Sequence, residues 1–148
     1  MDEKIISNVK ALLYDVDNDK VKETIFQTEN REILYVYSYN YNWDNGFDIP
    51  QIVLNNKKCD LSIALLIFYR ADGLNYLTNK TDNSNLPQWS FFIKNLYNSI
   101  LMGKYKKGEI EFKVPLSKVQ LFKLKKIITE NENIFTENIE GKCLDIVL

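Results

Sequence analysis

The chain has 148 residues, a net charge of −1 from 19 basic and 20 acidic side chains, and no histidine. Its length fits a single domain, residues 1–148, and 45% hydrophobic with 13% aromatic content excludes wholesale disorder. The missing imidazole removes Ser-His-Asp and Cys-His catalysis and most catalytic zinc sites.

Glu3 to Tyr14 carries Ile5, Ile6, Val9, Leu12 and Leu13 at helical spacing. Asp15 to Asp19 spaces its acids like the opening of a calcium loop. Lys20 stands where such a loop needs Gly, however, and Phe26 where it needs Glu. A polar turn that caps a helix from Lys20 to Gln27 is the reading adopted, with Val21, Ile25 and Phe26 as inward candidates. In Glu32 to Trp43, Tyr35, Tyr37, Tyr39, Tyr41 and Trp43 alternate as in a strand. The same residues also form two helical stripes, and the helical context on both sides favours a helix. No Lys or Arg lies between Glu32 and Gln51 to hold phosphates, so these aromatics read as packing residues.

Trp43-Asp44-Asn45-Gly46 reads as a turn, because Asn and Gly tolerate positive φ and Asp can close a local hydrogen bond. Asp48, Pro50 and Gln51 resemble a capped helix start, with Ile49, Ile52, Val53 and Leu54 supplying an apolar side. Asn55 to Lys58 ends that helix. Asp60 then caps Leu61 to Tyr69, which is apolar nearly all round and too short for the ~20 residues of a membrane span. This is the expected central core helix, with Gly73 at its left-handed C-cap.

The order N-W-D-N-G, then I-P, then C-D-L-S-I-A-L-L-I-F, then A-D-G resembles a small bacterial domain family of unknown function. That family's usual form is N-W-D-D-G, a Pro-started helix, C-D-L-G-T-A-L and an aromatic before D-G. The likeness runs from Glu32 to Leu77. Asn45 replaces the usual Asp, and Ser62-Ile63 replace Gly-Thr. Relatives look like helical proteins of bacterial accessory loci, some near polymorphic toxin genes. The resemblance implies an interaction or immunity role and no established activity.

Leu74 to Asn85 has the composition of a polar surface loop. Asn85, Pro87 and Gln88 repeat the capping signal, and Trp89 to Leu101 keeps helical spacing until Gly103. Ile110, Phe112 and Val114 alternate as a short strand. Ser117 and Gln120 cap a helix reaching Thr129, with Val119, Leu121, Leu124 and Ile128 as core candidates. Ile134, Phe135 and Ile139 anchor a less regular stretch. Cys143 to Leu148 is β-prone and could pair with Glu109 to Val114. The expected fold class is mainly α: a compact multi-helix domain around a buried central helix, with that small two-stranded element.

Lys104 to Lys126 holds eight Lys against Glu109 and Glu111, whereas Ile127 to Leu148 holds five acids against Lys142. Two solvated surfaces that partly pair with each other are expected, which makes nucleic-acid binding an unfavoured alternative. Cys59 and Cys143 match no metal spacing and read as buried thiols in a reducing compartment. Met1 to Lys4 is charged, unlike a secretory signal, so a cytoplasmic protein without a membrane partner is expected.

No phosphate loop, dinucleotide fingerprint or Cys-x-x-Cys pair occurs. Carboxylate chemistry remains open, because Asp44, Asp48, Asp60 and Asp72 could gather as acid/base groups or magnesium ligands. Their places beside Gly46, Pro50 and Gly73 point instead to caps and turns. The expectation is a non-enzymatic protein-binding domain without cofactor or metal, with a small carboxylate- or metal-dependent enzyme as the alternative. Trp43, Asp44, Asp48 and Asp72 are the candidate partner-binding residues, because aromatic anchors and acids suit a basic toxin.

Overall fold

The computed structural model describes residues 3–80 and 85–148. Its helices are α1 (Glu3–Tyr14), α2 (Asn18–Gln27), α3 (Arg31–Asn40), α4 (Asp48–Asn55), α5 (Leu61–Arg70), α6 (Gly73–Thr78), α7 (Pro87–Leu101) and α8 (Lys118–Lys125). Two 3-10 turns, Trp43–Asn45 and Glu130–Thr136, complete the regular structure among the described residues. The chain is mainly helical, and α5 is its centre.

Every residue from Leu61 to Phe68 is buried. The helix packs against α3 on one side and α7 on another, with α4 and α6 adding smaller contacts. Asp60 caps it by accepting the Ile63 N–H at 3.0 Å. The segment 104–110 closes over its start, where Leu61 N–H donates to Lys106 O and the Ser62 hydroxyl to Ile110 O. α3 is the second core helix, buried without interruption from Ile33 to Ser38. Burial on both faces resolves the aromatic alternation, because α3 is packed between α1 and α5.

Several local expectations change. Asp72, not Gly73, adopts the left-handed conformation, at φ 65. Gly73 instead opens α6, and a Cβ there would meet the Phe68 ring at 2.3 Å. The stretch read as a polar loop begins with this helix, because Tyr76 and Leu77 reach the core; residues 81–84 of it lie outside the described residues. α7 starts with Pro87 in its first turn, but Leu86 precedes it and no side-chain cap forms. Phe26 is exposed rather than inward, because only Val21 and Ile25 of α2 face α4.

The helix begun by the Ser117–Gln120 capping box stops at Lys125, short of Thr129. Thr129 and Glu132 form a new capping box there and start a 3-10 turn. Among the core candidates of α8 only Leu124 is fully buried, and Val119 points outward. The region 109–114 makes isolated bridges from Ile110 to Lys142 and from Phe112 to Ile139, and no sheet forms among the described residues. Cys143 to Leu148 runs instead along α3. Tyr35 Oη donates to Asp145 Oδ1 at 2.6 Å, and the Asn40 side chain bonds both Ile146 O and Leu148 N–H. Cys143 is exposed on this strap, while Cys59 is buried, which pushes its thiol pKa well up.

Candidate functional site

The turn after α3 is built on aromatic rings. Tyr41 Oη donates to Gly46 O at 2.8 Å, which ties the turn's end to its beginning. Gly46 sits at φ 90, a conformation that only glycine takes readily. Burial, helped by the Asp48 charge, pushes the Tyr41 hydroxyl up to about 12, so it remains a donor at neutral pH. Trp43 meets the Tyr41 ring edge-on at 5.2 Å and Phe92 of α7 at 6.3 Å. Phe47 stacks on Phe92 at 4.8 Å. These contacts fix the turn and the start of α4 against α7.

Between them runs a groove of about 460 Å³. Asn45, Gly46, Phe47 and Asp48 form one wall, and Gln88, Phe91 and Phe92 form the other. Phe91 is 73% exposed although it stands beside this aromatic cluster. The rim is polar, and no cation lines it. The indole N–H of Trp43 is buried and has no hydrogen-bond partner. An unpaired buried donor is costly, which marks this turn as a place where stability was not maximised.

Of the four candidate residues, Trp43 and Asp44 lie in this turn and Asp48 lines the groove. Asp44 does not close the turn: Asn42 does, through its side-chain oxygen on the Asp44 N–H. Asp48 begins α4 without capping it, and its carboxylate lies 3.8 Å from Lys22 Nζ. Asp72 lies elsewhere, on a cleft of about 380 Å³ with Tyr39, Arg70 and Asp145. Asp60 is buried at the N-cap of α5, 3.6 Å from Arg31 Nε. The acids are thus dispersed, and no group of three potential metal ligands occurs among the described residues.

Sequence reasoning passed over three structural side chains. The Asn56 amide donates to the carbonyls of Ile25 and Thr28, closing the C-terminus of α2 onto α4. Glu132, 1% exposed, accepts from Tyr97 Oη at 2.5 Å and pairs with Lys80 at 2.9 Å. Burial opposes ionisation of Glu132, yet Tyr97, the Thr129 N–H and Lys80 together lower its pKa to about 2. Asn40 is the third, through its bonds to the C-terminal strap. Asn56 and Glu132 lie in polar stretches, where periodicity carries no signal, and Asn40 lies among tyrosines whose alternation dominates the local pattern.

A family model described as a domain of unknown function (DUF4274) matches residues 29–101, from the residues just before α3 to the end of α7. The chain is similar to that family over the central helices and the whole groove. Neither the curated proteins nor the solved structures contain a match to it. No helix among the described residues is long and apolar enough to cross a membrane.

Proposed function

We propose that this chain is a non-enzymatic protein-binding domain that docks a basic protein partner in the groove between the Trp43 turn and α7. The observation that carries this reading is a solvent-facing Phe91 on a polar groove whose lining holds one acid, Asp48, and no cation, with Lys22 3.8 Å from that carboxylate. A large ring carried on a helix beside a packed aromatic cluster supplies apolar area to an interface, as an anchor does. Asp44 and Asp48, both exposed, supply the charge that selects a cationic partner and speeds its approach.

The specific role proposed is immunity: the domain covers the active surface of a toxin and blocks it without chemistry of its own. Support comes from the likeness of the Tyr41 to Gly73 motif to a family with members near toxin genes. The absence of histidine fits the same reading. The test is calorimetric titration of the purified chain against the toxin-domain protein encoded beside its gene. Binding should weaken with salt, and Phe91→Ala should cost about 2 kcal/mol of affinity. A neighbour without a toxin domain removes the immunity role, and binding indifferent to Phe91→Ala and Asp48→Lys removes the groove.

A further inference from the structure

The Lys-rich segment and the acidic C-terminal stretch are expected to be solvated surfaces that partly pair, and no such pair forms among the described residues. Among the described residues, Lys80 and Lys142 take Glu132 and Glu32, and no lysine from 104 to 126 stands in an ion pair. From Lys113 to Ile127 the chain carries five Lys and no acid. Within that stretch Val119 is 62%, Phe122 62% and Ile127 56% exposed. Leu124 is buried and Leu121 half-buried, so α8 is held to the body by one face and presents the other to solvent. Lys126 Nζ lies 4.3 Å from the centre of the Phe122 ring, which places a charge directly beside the protruding aromatic.

We propose that α8 is a peripheral membrane contact, which lays Val119, Phe122 and Ile127 into the interface of an anionic bilayer while the surrounding lysines face its headgroups. The two signals are those that surface adhesion requires, because basic charge alone or a few apolar side chains alone bind a bilayer weakly. A nucleic acid fits less well. Val119 and Ile127 offer nothing to a base or a phosphate, and Lys126 already covers the Phe122 ring that would have to stack. The contact demands far less than a spanning segment. It also lies outside residues 29–101, which the family model matches.

The test is sedimentation of the full chain with vesicles of phosphatidylcholine alone or mixed with phosphatidylserine, at physiological salt. Phe122→Ser and a Lys123→Glu/Lys126→Glu pair serve as variants, since all three side chains are exposed and thermal melts can verify their folding. Binding should require phosphatidylserine and fall about tenfold in each variant. Equal partitioning to both vesicles, or none to either, overturns the proposal. So does a Phe122→Ser chain that binds like the parent, because charge alone then suffices. A duplex oligonucleotide that is bound more tightly than the vesicles overturns it in favour of a nucleic-acid face.

Discussion

Asp60 and Glu132 are both carboxylates withdrawn from water, and their surroundings drive them apart. At Asp60 burial dominates: although the Ile63 N–H and Arg31 favour the anion, its pKa is raised above the usual 3.8. The folded chain therefore holds this proton to higher pH than the unfolded chain. Its contribution is greatest below 3.8 and declines as pH rises through the folded value. Glu132 has the opposite sign. Lowered from 4.5 to about 2, it contributes fully above 4.5 and loses that contribution as pH falls toward 2. Denaturant midpoints measured across acid pH should show the deficit of Glu132→Gln relative to its parent fully developed above 4.5 and shrinking as pH falls toward 2. Asp60→Asn should gain on its parent as pH rises. Asp48 supplies a third case, because it makes no cap bond. Asp48→Ala and Asp48→Asn should both leave the midpoint within about 0.5 kcal/mol of the parent, as at an ordinary surface site. A loss of 1 kcal/mol or more in the Ala variant alone would show a working cap.

At the scale of elements, α5 was legible because apolar residues covered every face, and no surface helix could carry such a run, whereas α3 fitted strand and helix alike and its helical neighbours decided it. Leu65 is fully buried on α5, so Leu65→Ala should lower stability by ~2–5 kcal/mol in denaturant unfolding. The junction between α5 and α6 was misread for a definite reason. An Asp-Gly pair signals a left-handed residue, but either member can supply it, and Asp can adopt that region with modest strain. The decision came from packing: Gly73 lies under the Phe68 ring, where no Cβ fits. Gly73→Ala should cost about 1–3 kcal/mol through overpacking, while Asp72→Gly should be neutral or stabilising. α8 was misread for the converse reason. Its apolar residues lie on both faces, so sequence spacing alone could not tell the side that faces the Glu130–Thr136 turn from the side that faces solvent. The groove was legible only in part: the Trp43 turn and Asp48 stood out, whereas Phe91 looked like any other residue of an apolar helix.

Across the molecule, the two proposed contact surfaces differ in charge. Phe91 shares its groove with Asp48, and Phe122 stands among lysines, so salt should weaken partner capture and vesicle adhesion by separate routes. Variants at one face should leave the other unaffected, which a vesicle assay with Phe91→Ala can check. The strap along α3 has a further consequence, for the order of events during synthesis. Tyr35 and Asn40 wait for partners more than 100 positions later, at Asp145, Ile146 and Leu148. Until those residues dock, one side of a helix rich in tyrosine has no cover, and closing so long a loop is slow compared with forming the local helices. The chain is therefore most exposed to misassociation before residues 143–148 settle on α3, when the described helices can already exist.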